Sequence, residues 1–466
     1  MTKLFTVESP ELFFTGGIGI GIEEPLSVES GITALVGDNG SGKSLFAKII
    51  EKGWNYRTNV IKSPSGKKPL IKYLEFNDVH SWIGNSVGYY QQRYEAAMND
   101  EVPIVADIMG ARITIPQFQK LTEKFNLQGA GTKKINFLSS GELRKILIIN
   151  ALLDSPELLI LDNPYIGLDA DSRIALNEAI RTLRNEGLSV MLILSDEKDI
   201  PEFTDNVLYA YDLTISGDKA RNETVQEIES ENLPLTRVSE NCNEEILSME
   251  DCHVHYGNIK VLDNINWNIK SGQRWSLSGP NGSGKSTLLS LIYADNPKCY
   301  NNNLRLFGER RGTGESIWDI KKRIGYVSPE MQLHFHGDGT IREIVAAGLN
   351  DTVGLYVKPT EEQLRKADAW LRFFALTYLA ERTYNTLSSG ERQLVLVIRA
   401  MIKEPDLLIL DEPMHALDPK NKKKVEAAIN GFLENNPSSS FIMVTHNPEE
   451  LPETINNHLT LNQNAT

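Results

Sequence analysis

The chain has 466 residues, 41% hydrophobic and 24% charged, which suits roughly two to four packed domains and excludes wholesale disorder. Its 48 Lys+Arg against 62 Asp+Glu leave a formal net charge of −14, a balance that disfavours gripping nucleic acid mainly through counterion release. Cys242, Cys252 and Cys299 form no CxxC pair, which argues against a disulfide framework, a zinc site or an iron–sulfur cluster, and no run approaches 18 apolar residues, which excludes a membrane-spanning helix.

The start, MTKLFTVESPELFFTGG, lacks a basic segment followed by a long apolar one, so no signal peptide is expected and a reducing cytoplasm fits the cysteine usage. Leu35–Gly37 reads as the end of a short buried strand that enters GDNGSGKS, Gly37–Ser44, and then a helix. In a G-x-x-x-x-G-K-S loop the glycines let backbone N–H groups turn inward around a phosphate, the lysine supplies a point charge, and the serine hydroxyl can ligate magnesium. Gly37, Asn39, Gly40, Ser41, Gly42, Lys43 and Ser44 form the loop, with Lys43 and Ser44 in the last two roles. Next comes Ser139-Ser140-Gly141-Glu142, a capping box that opens a helix and presents N–H groups and hydroxyls suited to a phosphate. Pro156 precedes the apolar strand Leu158–Leu161, which ends on Asp162; an acid there, beside a phosphate loop, can hold magnesium through water. Val190–Leu194 is a further strand.

Residues 223–245 hold seven glutamates, one arginine and Pro234, and read as a solvated linker, with the boundary near residue 240. After it the pattern repeats. WSLSG leads into GPNGSGKS, so Gly279, Asn281, Gly282, Ser283, Gly284, Lys285 and Ser286, with Thr287 behind them, form a second phosphate loop 242 residues after the first. LSSGE returns at Leu387–Glu391, giving Ser388, Ser389 and Gly390, and LLILDNP returns as LLILDEP at Leu407–Pro413, both at an offset of 249. Asp411 ends the strand Leu407–Leu410, and Phe441–Val444 is the strand after it. Three blocks in the same order make this a duplicated domain. Continuous apolar strands alternating with helices make each half α/β, with a largely parallel sheet covered on both faces.

Phosphate loop, LSSGE and acid strand together resemble the ATP-binding cassette family, whose signature is of the LSGGQ type. The resemblance implies two tandem cassettes, residues 1–215 and 246–466 around an acidic linker 216–245, each with a helical subdomain carrying the signature. It implies ATP and Mg2+ held between cassettes, so that Lys43 and Asp162 face Ser388, Ser389 and Gly390, while Lys285 and Asp411 face Ser139, Ser140 and Gly141. Tyr256 resembles the adenine-stacking aromatic, and Phe14 is its first-half candidate or a core residue. Gln92 in VGYYQQ resembles the metal-contacting glutamine, for which the second half aligns Pro329, with Glu330 or Gln332 as substitutes after a local shift. Glu412 stands where the family places the carboxylate that polarises water, and His446 matches the switch histidine. In the first half the same positions are Asn163 and Asp196. Asparagine takes no proton at neutral pH, and loss of a general base costs roughly 10²–10⁴-fold, so the first site reads as slow or binding-only. Ala416–Asp418 and Gly167–Asp169 resemble the loop that signals between cassettes.

The layout most resembles the bacterial tandem cassettes of the molybdenum-transport and photorepair type. That implies a cytoplasmic ATPase docking on a separate membrane permease at the inner face of the membrane. The alternative is a tandem cassette acting on ribosomes or nucleic acid. Those carry a long charged helical connector and usually a glutamate in both halves; Pro234, Asn163 and the charge of −14 argue against them.

Overall fold

The structure, a computed structural model, describes residues 2–14, 19–55, 60–76, 103–135, 138, 140–219, 233–235, 244–256, 259–329, 331, 335, 339–350 and 358–462. These fall into two compact units, one built on each repeat.

In the first unit a sheet of eight described strands runs in the order Glu11–Phe13, Gly19–Ile22, Thr214–Ser216, Asn206–Tyr211, Ile32–Gly37, Ser189–Leu194, Leu158–Asp162 and Ile71–Glu75. The last five of these run parallel to one another. Side chains leave a strand alternately to either face, and the cores record it. Ile32, Ala34 and Val36 join one cluster, with Ile146–Ile149 of helix Ser140–Leu152 and Leu176, Ile180 and Leu183 of helix Ala170–Asn185. Leu35 joins the other, with Phe46, Ala47, Ile49 and Ile50 of helix Lys43–Lys52. Burial on both faces is why these strands read as unbroken apolar runs rather than alternating ones.

The second unit repeats the plan with five parallel strands in the order Ile324–Val327, Leu407–Asp411, Ser440–Val444, Arg274–Ser278 and Asn457–Thr460. A long antiparallel hairpin, Glu245–Tyr256 with Ile259–Lys270, packs its inner residues Leu247, Met249 and Val254 into the same core as Leu288–Ile292 of the helix after the phosphate loop. The expected strands of both halves are present: Leu158–Leu161, Val190–Leu194, Leu407–Leu410 and Phe441–Val444 are each longer by one residue, and the strand that ends in Leu35–Gly37 begins at Ile32. In both units the phosphate loop and the acid lie at the carboxyl ends of parallel strands with one strand between them, Ser189–Leu194 in the first unit and Ser440–Val444 in the second, the edge at which open α/β sheets bind ligands.

The linker departs from its reading as a solvated segment at one described point. Leu233 rests on helix Pro419–Asn435 at Gly431, where an added Cβ would come within 2.3 Å of its Cδ1. Apart from such contacts, no helix among the described residues is long and apolar enough to cross a membrane.

Candidate functional site

Each phosphate loop is shaped by glycines in conformations closed to other residues. Gly42 caps helix Lys43–Lys52 at φ 99°, and a Cβ there would meet Ile20 Cδ1 at 2.7 Å. Gly284 does the same for helix Lys285–Ile292 at φ 95°, against Leu262 at 2.7 Å. Gly40 and Gly282, both at φ 81°, face open space, leaving room for a ligand beside the turned backbone. Ser41 and Ser283 are buried, and Ser283 Oγ has no hydrogen-bond partner among the described residues.

The two lysines fold back over their loops. Lys43 Nζ donates to the carbonyls of Gly37 at 2.6 Å and Asp38 at 2.7 Å; Lys285 Nζ donates to those of Gly279 at 2.6 Å and Pro280 at 2.9 Å. Burial pushes the Lys43 ammonium down to about 8, against the pull of nearby carboxylates such as Asp162. A phosphate at the loop would add negative charge beside this desolvated ammonium and favour its charged form.

Asp162 is fully buried at the strand end and accepts from Ser44 Oγ at 2.5 Å, as two ligands of one metal would be placed. Burial raises its pKa, while the bonds from Ser44 and from the Tyr73 hydroxyl, at 2.7 Å, oppose the rise. Ser44 and Asp162 are hard oxygen donors of the sort Mg2+ takes beside a triphosphate, so these residues fit that ion. Asp411 is likewise buried, and Ser286 is exposed beside the second loop. Tyr73 was missed by sequence reading. It comes from strand Ile71–Glu75, which lies alongside the acid strand with Glu75 opposite Asp162, and its interleaved Lys72 and Glu75 hide the strand from an apolar-run search. Gln92 lies outside the described residues, as do Glu330 and Gln332, whereas Pro329 follows directly on the matching second-half strand Ile324–Val327 and Ser328.

The residue after each acid has the same unusual backbone. Asn163 has φ 52° and Glu412 φ 51°, and each N–H donates to the neighbouring strand, to Ile193 at 3.0 Å and to Val444 at 2.9 Å. Non-glycine residues in this region are uncommon, and they cluster at sites where a side chain must be aimed. Glu412 Oε1 lies 3.7 Å from His446 Nε2. The Glu412 carboxyl is held well above the usual carboxylate range by burial first, then by Asp411 and Glu450, with Lys285 pulling the other way. Asn163 instead donates to Asp162 Oδ1 at 2.9 Å and accepts from Ser195 Oγ at 3.2 Å.

Sheet register corrects the partner assigned to Asn163. Leu158 pairs with Ser189 and Leu407 with Ser440, so the switch strands correspond at an offset of 251, against 249 for the acid strands. His446 therefore corresponds to Ser195, not Asp196. Asp196 corresponds to Asn447, and both cap a short turn, accepting from Lys198 N–H at 2.9 Å and from Glu449 N–H at 3.1 Å. The slip arises between the strands, where the second repeat carries two extra residues and a helix of 17 residues rather than 16.

The signature helices differ too. Ser388 is the N-cap of helix Ser389–Met401, and the full capping box with Glu391 forms. Gly390 is buried in its first turn, and Gln393 donates to the Glu412 and Pro413 carbonyls at 3.3 and 3.1 Å, supporting the loop that aims Glu412. In the first repeat Ser139 and the Ser140 side chain lie outside the described residues, and Gly141 sits in helix Ser140–Leu152. Arg144 replaces Gln393; it is buried, donates to the Ile166 carbonyl and lies over the Phe76 ring at 5.7 Å, and burial lowers its pKa to about 10. Tyr256 is half-buried with its hydroxyl accepting from Asn296 at 3.0 Å, and Phe14 packs against the first core.

The profile of the ABC transporter family matches residues 26–166 and 262–415, both repeats in turn. The chain belongs to the ABC transporter family. It is a tandem-cassette ATP hydrolase whose two halves each carry the ATP-binding motifs described above. The ABC transporter ATP-binding protein ModF of Escherichia coli (strain K12) is 32% identical, over 91% of this chain and 90% of its own length. An uncharacterized ABC transporter ATP-binding protein of Schizosaccharomyces pombe is 29% identical over the same shares, 91% and 90%. Among solved structures, an RNase-L Inhibitor superposes with a TM-score of 0.52 at 20% identity, covering 94% of this chain and 85% of that one. A model of ribosome-bound archaeal Pelota and ABCE1 gives a TM-score of 0.57 at 20% identity, over 94% and 73%. At that identity the structural likeness shows the tandem-cassette fold and nothing finer.

Proposed function

We propose that this ABC ATPase binds two Mg-ATP at the faces its cassettes share and hydrolyses mainly at the second phosphate loop. The observation that carries the reading is the contrast between two pairs in equivalent backbone positions. Glu412 with His446 offers a carboxylate to polarise water and an imidazole to reach the γ-phosphate; Asn163 with Ser195 offers neither. Lys285, Ser286 and Asp411 would serve phosphate and Mg2+ at the second loop, and Lys43, Ser44 and Asp162 at the first. Magnesium there would neutralise developing charge on the phosphates. Nucleotide binding drives the halves together and hydrolysis releases them.

The stroke is proposed to power a transport system of the molybdenum-transport type, through a separate permease at the inner face of the membrane. The relatives' family and the likeness in layout support this over action on ribosomes or nucleic acid. The net charge of −14 and the acidic linker weigh against the second reading. Tagged protein recovered with a membrane permease supports transport; recovery with ribosomes overturns it. Mg-ATP at about 100 times its Kd should stabilise the fold by about 2.7 kcal/mol, read as a rise in thermal midpoint. A melt that does not respond to Mg-ATP contradicts the nucleotide reading.

A further inference from the structure

The turn beyond the switch strand carries a carboxylate that hydrolysis itself does not use. Glu450 closes the short 3-10 turn Pro448–Glu450, with its side chain only 14% exposed. Its Oε2 accepts from Thr445 Oγ1 at 2.8 Å and its Oε1 from Lys422 Nζ at 3.1 Å. Thr445 Oγ1 in turn accepts from Asn447 N–H at 3.1 Å, so the residues on either side of His446 are both fastened to a hydroxyl that Glu450 holds. Lys422 stands on helix Pro419–Asn435, which opens directly after Ala416–Asp418. One carboxylate therefore joins that helix to the residues flanking His446.

The first repeat keeps the pair in different residues. Arg173, on helix Ala170–Asn185, pairs with Asp199 at 2.8 Å, at the end of the matching turn Glu197–Asp199. Both partners have changed type while charge sign and place are retained. Partly exposed ion pairs contribute only about 0–1 kcal/mol, so stability alone is a weak reason to keep one through two substitutions. Geometry is a better one. The first-repeat version also stops short: Leu194 stands where Thr445 does, so no hydroxyl passes the link on, and Ser195 stands where His446 does. The extended clamp belongs to the repeat that carries the glutamate and the histidine.

We propose that Lys422 and Glu450 are a positioning pair that, through Thr445, holds His446 where it can act with Glu412 and couples that setting to helix Pro419–Asn435. The inference rests on the reading of Glu412 and His446 as the hydrolytic groups. Neither Lys422 nor Glu450 reaches reacting atoms, and misplacing a catalytic group lowers the rate more than it weakens binding.

The test uses the full-length protein and steady-state phosphate release over a range of ATP. Glu450→Gln and Lys422→Ala should each lower kcat about 3- to 10-fold and change KM for ATP less than about 2-fold. The double variant should be no slower than the worse single one, since each breaks the same link. Thr445→Val should reproduce the loss and Thr445→Ser should restore the rate, which a merely structural role would not require. Arg173→Ala should leave kcat within about 2-fold. The proposal is overturned if kcat is unchanged, if KM rises in step with any loss, if the double variant is additive, or if Arg173→Ala costs as much as Lys422→Ala. Glu412→Gln serves as the reference: if it abolishes turnover while Glu450→Gln leaves kcat unchanged, this inference alone falls, and if it turns over normally both readings fall.

Discussion

Replacing Glu412 by glutamine should stop turnover and make the ATP-free protein more stable. The carboxyl is buried at the end of the acid strand, its Oε1 lacks a hydrogen-bond partner among the described residues, and Asp411 and Glu450 add repulsion once it ionises. A buried polar group left unsatisfied costs about 1–3 kcal/mol. An amide in the same place still lacks a full set of partners, so the gain should be about 1 kcal/mol, or a Tm rise of about 2–4 °C for a unit of this size. The sign with pH follows from the raised pKa. The native state holds the Glu412 proton more tightly than the unfolded chain does, so wild type suffers no penalty below the ordinary value of 4.5 and an increasing one as pH rises from there towards the raised native value. The stability gap between Glu412→Gln and wild type should therefore widen from acid to neutral pH. Meanwhile phosphate release should fall roughly 10²-fold or more, and nucleotide retained after rapid gel filtration should increase. Near wild-type turnover in Glu412→Gln, or a gap that narrows as pH rises, would refute the reasoning.

Asn163→Gln should change steady-state phosphate release less than about 2-fold, because neither amide takes a proton; a large loss would mean that the first repeat also performs chemistry. Lys43, pushed down to about 8 by burial, should be costly to the apo fold while charged. The unfolded chain keeps that proton up to 10.5, so wild type should gain stability relative to Lys43→Met as pH rises from about 8 towards 10.5, read in paired thermal melts.

The phosphate loops, the acid strands and the capping boxes were legible because each is local. A turn needs its glycines, a cap its serine and glutamate three residues on, and a strand buried on both faces its unbroken apolar run. Register was not legible. Asp196 and Ser195 are neighbours, and only pairing with the acid strand, a contact between residues some 30 apart, decides which stands opposite Asn163. Strand Ile71–Glu75 escaped notice because its charged residues break the pattern, although it brings Tyr73 to the buried acid. The antiparallel hairpin Glu245–Tyr256 with Ile259–Lys270 escaped because asparagines and aspartates interleave its core residues; burial of one face is enough to hold it. Gln393 was not legible either: the conformation it supports at Glu412 exists only in the fold, which brings its buried amide to the carbonyls of Glu412 and Pro413, 19 and 20 residues along the chain.

The central claim is that two cassettes of like fold carry unlike chemistry. Steady-state phosphate release at saturating Mg-ATP, compared between Lys43→Ala and Lys285→Ala, tests it most directly. Lys285→Ala should lose most activity, because it disables the loop served by Glu412 and His446, while Lys43→Ala should keep a measurable rate with weaker nucleotide occupancy. Equal residual rates in the two variants would contradict the account.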